Sequence, residues 1–393
     1  MTELDGLRWL VVTEEDVLPA DSGGRVDHAG FLRAARDAGI AVRALVPSQG
    51  FNAPLYAGDL PGVEVVPLPR RSGARHHLGL RPYVVATRDV PEPQLLAAAG
   101  ERRDAVISYS VRSAHLGEAV ARAWRVPHLV RCQNLDSAYF RDLARAGRGA
   151  RSFAYRVEGW RVERFETHLN RSPDVTAFAD VSAEEAAHHR TLTDHPVLHV
   201  PSFALPRDSG EVPGMDARAG VLFVGSLDVE TNQQALAWFL TEVWPRVRAA
   251  APAATFRIVG RRPTDELRAE AGRLSGEGVS LHGDVPEVDP FFHGAAVNVN
   301  PAQTGSGINV KLLQAMVGGS AAVSTSVGAA GIDWEVGEDL LVADAPQAFA
   351  DAVVRLLTDV ALRSRVAARG RESVLAKLDP VANLRAFAEV LAR

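Results

Sequence analysis

A chain of 393 residues is long enough for two or three domains, each burying its own core. Its composition, 47% hydrophobic and 23% charged, reads as a soluble globular protein, and a net charge of −5 sets up no field that points to nucleic acid. The single cysteine, Cys132, excludes an internal disulfide framework and a Cys-based zinc site, and fits a reducing compartment. Leu7–Thr13 follows acidic residues and is too short for a signal sequence. No run approaches the roughly 18 apolar residues of a membrane span, so the chain reads as cytoplasmic.

Short β-branched runs alternate with longer Ala/Leu/Arg stretches. Trp9–Val12 reads as a buried strand and Val26–Ala38 as the helix after it. Ala41–Val46, Val63–Pro67, Ala105–Tyr109 and Leu129–Val130 follow as strands. The second half repeats the pattern: strand Val221–Val224, helix Asn232–Arg248, strand Thr255–Val259 and helix Leu267–Leu274. Strands Val279–Leu281 and Ala295–Val299, helix 309–317 and strand Ala321–Thr325 complete it. Such spacing implies crossover units and parallel sheets covered by helices on both faces. The Pro-, Gly- and charge-rich stretch 201–219 reads as an interdomain linker, giving domains at 1–205 and 220–375 with 206–219 between them. From Pro346, the spacing of Phe349, Val353, Leu356 and Leu357 predicts a core-facing helical stripe. A last helix, Val381–Leu391, falls in a segment 376–393 that can cross back to the first domain. Two doubly wound domains facing each other make a cleft, with ligands at the carboxyl ends of the strands.

The segment Pro301–Met316 carries the strongest chemical signal. A strand ends near Asn300, a small-residue loop follows, and a helix starts near Asn309. The first amides of that helix lack intrahelical partners, and its dipole places partial positive charge there. Gly305 and Gly307 let a phosphate approach the backbone where a Cβ would collide. Lys311 in the first turn opposes the dipole, which makes sense if it pairs with a bound diphosphate. A tight turn with a solvated lysine accounts for the same letters.

From about Gly220 to Pro380 the chain resembles the nucleotide-binding half of glycosyltransferase family 4. Gly305–Met316 is similar to the family's Gly-Ser-Gly-Thr-Arg-Leu-Lys-x-Leu-Glu-Ala-Met signature. Ordered matches surround it at Phe223–Asp228 with Asn232, at Ile258–Pro263, at Gly283–Pro286, at Val323–Gly328 and at Gly331–Ile332. The first half, 1–205, resembles the family's acceptor-side domain more weakly. Gly23, Gly24 and Arg25 follow the first strand, where the family keeps a flexible glycine loop. Arg131–Ser137 resembles its Arg-x-His-Asn-x-Glu-Ser stretch, and Glu163–Glu166 and Val181–Glu185 follow at the expected distances.

The resemblance implies a GT-B fold of two Rossmann-like domains facing a central cleft. It implies transfer of a sugar from a nucleoside-diphosphate donor to a hydroxyl acceptor, with retention, without metal and without a cofactor. Donor contacts are then expected from Gly23, Gly24, Arg25, Gly225, Ser226, Asn232, Asp284, Val285, Gly305, Ser306, Gly307, Ile308 and Gln314. Catalytic roles fall to Lys311, Gln133 and Asp136. Partners are the nucleotide-sugar donor and a small-molecule, glycan or glycolipid acceptor, with peripheral membrane contact open and no nucleic acid.

The chain departs from the family pattern where chemistry is concentrated. Gln314 replaces a glutamate whose carboxylate accepts from the donor ribose. Glutamine keeps one acceptor and adds two donors, a change worth on the order of 1–2 kcal/mol of binding. Gln133 replaces a histidine and cannot titrate, so it can position a hydroxyl but not exchange its proton. Asp136 shortens a glutamate by one methylene, and a helix cap is an equal reading of it. The family's Arg/Lys pair is absent at Ser226 and Thr231, leaving Lys311 for the diphosphate charge, with Arg25 as a second cation. These departures motivate a second reading, a catalytically degenerate protein that binds sugar nucleotides or acts as an auxiliary subunit. A sugar-nucleotide epimerase lacks the acidic and histidine residues it would need in these motifs.

Elsewhere, His76-His77 and His188-His189 lack metal-ligand spacing and read as surface pairs. Arg70–His77 is a basic loop. Seven arginines between Arg141 and Arg164, interleaved with Phe153, Tyr155 and Trp160, suit anionic lipid or an acidic acceptor. Glu158, Glu163 and Glu166 also allow a solvated face with ion pairs.

Overall fold

The computed structural model describes residues 3–20, 23–71, 79–133, 135–146, 149–203, 214–304 and 308–393. The chain forms two compact units, one of Met1–Ala204 with Asp379–Arg393 and one of Leu205–Leu378.

The first unit is built on seven parallel strands: β1 (Arg8–Val12), β2 (Ala41–Ser48), β3 (Glu64–Pro69), β4 (Ala105–Ser108), β5 (His128–Cys132), β6 (Ala177–Asp180) and β7 (Val197–His199). Their order is β3-β2-β1-β4-β5-β6-β7. Helices cover both faces, so β4 and β5 are buried along their whole length and read as continuous rather than alternating apolar runs. Pro67 and Pro69, which cannot donate to a ladder, sit in the edge strand β3. The second unit has six strands: β8 (Val221–Val224), β9 (Phe256–Gly260), β10 (Val279–Gly283), β11 (Val297–Asn300), β12 (Ala321–Ser324) and β13 (Leu341–Val342). They are ordered β10-β9-β8-β11-β12-β13, all parallel.

Both sheets therefore reverse direction of winding at their centres, the first between β1 and β4 and the second between β8 and β11. Loops leaving adjacent strands at such a point diverge to opposite faces and open a crevice at the carboxyl ends.

Two local expectations need revision. The first helix runs from Gly23 to Asp37, so Gly23 and Gly24 open a helix instead of forming a free loop. The helix expected over Asn232–Arg248 starts at Glu230 and runs to Ala250, with a π-helical segment at Phe239–Val243. Pro245, just beyond that segment, lacks an N–H and its ring crowds the carbonyl four residues back, which the widened turn relieves. The distal end of the expected linker is anchored: Arg218 is buried, donating to the carbonyls of Phe292 (3.2 Å) and Gly318 (3.0 Å). Residues 204–213 of that stretch lie outside the described residues.

The last helix, Pro380–Leu391, belongs to the first unit. Asp379 caps it by accepting from the amides of Val381 and Ala382, and Pro380 takes a first-turn position where no donor is needed. Phe387 packs with its ring 5.9 Å from Phe31 and 6.0 Å from Phe203. The described residues contain no helix long and apolar enough to cross a membrane.

Candidate active site

In the first unit the switch-point crevice is a cavity of 290 Å³. Glu14 and Glu15 enter it from the end of β1, and Gly24, Arg25 and His28 from the helix after it. Ser110, Val111 and Arg112 come from the end of β4, and Gln133, Asp136 and Tyr139 from the end of β5. Three of the residues singled out in the sequence, Arg25, Gln133 and Asp136, thus meet around Gly24.

A buried carboxylate organises the back wall. Asp27 is nearly inaccessible and accepts from Arg131 (3.4 Å), the Ser202 hydroxyl (2.7 Å), the Phe203 amide (2.6 Å) and the Gln133 side-chain amide (3.4 Å). Burial alone would raise its pKa, but the Arg131 guanidinium and the Ser202 hydroxyl outweigh that and hold it below the usual range. Arg131 has no exposed surface and lies over the rings of Tyr109, Phe203 and Phe387 at 5.2 to 5.9 Å. Gln133 is therefore held by its nitrogen, and its Oε1 faces Gly24. A Cβ built on Gly24 would lie 3.0 Å from that oxygen, so a side chain there would press on the Gln133 amide.

Asp136 is the first residue of the helix Asp136–Ala146. Its carboxylate takes both arms of Arg112, at 2.7 and 3.0 Å. Arg112 also reaches Glu14 (3.6 Å). Burial disfavours the guanidinium charge, but Asp136 and Glu14 more than compensate and raise its pKa. Glu14 accepts from the Ser110 hydroxyl at 2.9 Å; against its burial, Arg112, His28 and Arg88 keep it ionised. Arg25 pairs with Glu15 at 3.1 Å. The cations of this pocket are thus already matched by carboxylates.

Behind the loop lie two glutamates from the stretches that resembled the family. Glu166 accepts from the Ser137 amide (3.3 Å) and Glu185 from the Leu135 amide (3.3 Å), satisfying the free donors at the start of the helix. Burial, with Asp136 nearby, pushes Glu166 up to about 7 even though Ser137 pulls it down. The surface reading of the second histidine pair holds for His188, which is exposed, but not for His189, which is buried. Successive helical residues point about 100° apart, so one faces water and the next the sheet. Ligand atoms of His189, Asp180 and Cys132 lie within 4.8 Å of one another. Yet Nδ1 contacts Asp180 (3.0 Å) and Nε2 contacts Asn170 Oδ1 (2.9 Å), so both ring nitrogens are taken and the cluster reads as structural. His76 and His77 fall outside the described residues.

In the second unit, Gly225, Ser226, Asn232 and Lys311 converge at the carboxyl ends of β8 and β11. The Asn232 side chain donates to the Ser226 carbonyl (2.8 Å) and accepts from Lys311 Nζ. Lys311, in the helix Val310–Val317, sits 5.2 Å over the Phe223 ring. Desolvation lowers its pKa from 10.5 to about 8. A Cβ has no room at Gly260 and little at the neighbouring Gly225. A Cβ on Gly225 would press on Asn232 and Phe223 at 3.2 Å, and one on Gly260 would fall 1.7 Å from the Gly225 carbonyl oxygen. Asp284 adopts a left-handed backbone (φ 53°) and accepts from the Arg262 amide (2.7 Å), tying the ends of β10 and β9 together, with Val285 half-buried beside them. Ile308 packs beneath the helix and Gln314 is half-buried on it. Gly305, Ser306 and Gly307 lie outside the described residues, as does Asn134.

Sequence reasoning missed His28, Glu14 and Arg112. His28 carried a usable signal, one helical turn after Gly24. Arg112 and Glu14 carried none, because their pairing spans distant strands.

Two parallel α/β units, each with polar groups gathered at its switch point, define a two-domain GT-B fold. Residues 218–359 match the family of group 1 glycosyl transferases. Among solved structures, HepE of Anabaena in complex with UDP and glucose is similar over 98% of this chain and 99% of its own, at 15% identity and a TM-score of 0.62. WaaG, a glycosyltransferase involved in lipopolysaccharide biosynthesis, is similar over 95% of this chain and 98% of its own, at 14% identity and a TM-score of 0.64. Sucrose-phosphate synthase from Thermosynechococcus elongatus is similar over 98% of both chains, at 15% identity and a TM-score of 0.62. At these identities the likeness establishes the fold. An uncharacterized 44.6 kDa protein in the cps region of Klebsiella pneumoniae is 29% identical over 152 residues, and the chain spans 39% of that relative's length. The match to group 1 glycosyl transferases thus falls within the second unit.

Proposed function

We propose that the protein transfers a sugar from a nucleoside-diphosphate donor to a hydroxyl acceptor, with retention at the anomeric carbon and without a metal. The observation that carries this reading is the grouping of Lys311, Asn232 and Ser226 at the switch point of a group 1 glycosyl transferase domain. Lys311 is a half-buried cation whose present partners are a neutral amide and a ring face. A diphosphate at this point would restore the electrostatic support that burial removes, and would hold the charge that develops as the anomeric C–O bond breaks. That HepE was solved with UDP and glucose supports a uridine nucleotide as the first donor to test.

The test is a panel of UDP-, GDP- and dTDP-sugars followed by calorimetry and by product NMR, with and without EDTA. Turnover that survives EDTA and keeps the donor's anomeric configuration is the expected result. Inversion, or loss of turnover on chelation, would overturn the corresponding part. Gln133, anchored to Asp27 and unable to titrate, favours one further outcome, donor binding with no turnover, which would make the protein a sugar-nucleotide-binding subunit.

A further inference from the structure

Asn300, the last residue of β11, is 1% exposed. Its side-chain nitrogen donates to the Gly328 carbonyl at 2.9 Å and to the Ser324 hydroxyl at 3.3 Å. Gly328 closes over it so tightly that a Cβ there would fall 2.4 Å from that nitrogen. A carbonyl only accepts, so the Gly328 contact fixes the amide, with nitrogen towards Gly328 and oxygen away. That oxygen meets the side chain of Asn309 at 3.1 Å, and it can receive only from the Asn309 nitrogen. One backbone carbonyl thus orients both amides, and neither group titrates.

Asn309 is the cap residue of the helix Val310–Val317. Asparagine at a cap ordinarily turns its oxygen onto an amide of the first turn, as Asn52 does in accepting from Leu55 at 3.3 Å. Asn309 does not. Its side chain makes no capping bond, and its Oδ1 is buried without a partner. The amides of Leu312 and Leu313 fold back on the Asn309 carbonyl, at 3.0 and 3.3 Å. Those of Val310 and Lys311 precede the first closed turn and have no intrahelical acceptor. An unused acceptor and unused donors therefore stand at the same helix start, and the Asn300 oxygen is what keeps them from meeting. Leaving both unused costs stability, so an arrangement that enforces it calls for an occupant. The open amides, the positive end of the helix dipole and the Lys311 ammonium, whose contacts are a neutral amide and a ring, all favour an anion.

We propose that Asn300 is a positioning residue of the donor site: it holds the Asn309 side chain off the helix start, so that the Val310 and Lys311 amides stay open to the donor's diphosphate. The proposal rests on the nucleotide-sugar reading only in naming that occupant.

Lys311 and Lys377 are the only lysines of the chain, so protein labelled with ¹⁵N-lysine gives two amide signals, and Lys377→Arg tells them apart. In the native protein the Lys311 amide should exchange fast, and should move on titration with UDP or inorganic pyrophosphate. Asn300→Ala frees Asn309 to swing onto the helix. With no ligand present, the Lys311 amide should then move downfield and exchange roughly three- to tenfold more slowly, as a capping bond requires. UDP should bind about tenfold more weakly, the worth of one amide–phosphate hydrogen bond. Asn300→Ala also strands the Gly328 carbonyl, so its melting temperature falls for a reason unconnected with capping. The double variant Asn300→Ala/Asn309→Ala keeps that defect but has no side chain able to cap. It should regain fast Lys311 exchange and most of the lost UDP affinity, while melting no higher than Asn300→Ala. A double variant that binds UDP as weakly as Asn300→Ala, or a Lys311 amide whose exchange Asn300→Ala leaves unchanged, overturns the proposal. If UDP and pyrophosphate leave the native Lys311 amide in place, while Asn300→Ala still slows it and the second substitution still releases it, the nucleotide reading fails and the hold of Asn300 on Asn309 stands.

Discussion

Replacing Lys311 by methionine should strengthen the empty protein and weaken its grip on a nucleotide. Desolvation lowers this lysine from 10.5 to about 8, so at neutral pH the native state carries a penalty on the order of 3 kcal/mol for holding the charge out of water. Methionine keeps an apolar chain of similar length and removes the penalty, at the loss of the ammonium's contact with the Phe223 ring and its hydrogen bond to Asn232. A net gain of about 1–2 kcal/mol in unfolding free energy follows. The sign with pH is fixed by the same numbers. Between about 8 and 10.5 the unfolded chain binds the proton that the native state has lost, so the penalty is relieved and native stability rises with pH in that window. A bound diphosphate favours the charged form, so UDP affinity of the native protein should fall as pH rises through about 8, with proton uptake on binding above it. In Lys311→Met, affinity should be about ten- to a hundredfold weaker, the worth of a charge-assisted hydrogen bond, and flat with pH. Thermal unfolding with and without UDP, and calorimetry in buffers of different ionisation enthalpy, read both effects. Native-like UDP affinity in the variant, or a pH-independent affinity in the native protein from about pH 7 to about pH 9, would refute the assignment.

Gly24→Ala places a methyl against Gln133 Oε1 while improving helix propensity by about 0.5–1 kcal/mol. The expected pattern is a melting temperature equal to or above the native value together with a raised acceptor KM, and unaltered kinetics would show that the Gln133 orientation is irrelevant. Glu166 has its native pKa pushed up to about 7 from 4.5, so the stability contributed by its protonated form is complete below 4.5 and lost as pH rises through 7. Glu166→Gln should therefore match the native protein near pH 4.5 and exceed it by about 1–3 kcal/mol near pH 8; parallel stability profiles across that range would count against it. Phe387→Ala should cost the first unit about 3–5 kcal/mol, seen as faster hydrogen exchange in β1 and β5 with the second unit's amides untouched. Uniform acceleration in both units would argue that the last helix stabilises more than its own core.

The alternation of buried β-branched runs with helical stretches carried the architecture, because strands covered on both faces leave an unmistakable apolar signature. Trp9–Val12 and Val221–Val224 are of this kind. Less visible were β6, whose Ala177-Phe178-Ala179-Asp180 has little bulk and ends on a charge, and the three-residue β7. In the site, Lys311, Asn232, Gln133 and Asp136 were legible because local motifs contain them. The partners that set their behaviour were not. Asp27 organises Gln133 from a distant helix, and Arg112 takes both oxygens of Asp136, contacts that only the sheet's winding order creates. His189 shows the complementary failure, since an i, i+1 pair gives no sign of which member faces inward.

The placement of Pro380–Leu391 makes the second unit an insertion within the first. During vectorial synthesis all the strands of the second unit leave the ribosome before Phe387 does, so that unit can complete its core first. Until the last helix emerges, Phe31, Phe203 and the Arg131 guanidinium lack one wall of the cluster that buries them. The first unit therefore begins before the second and finishes after it, and the Asp27 network behind its pocket gains its full apolar cover only once Phe387 has been made.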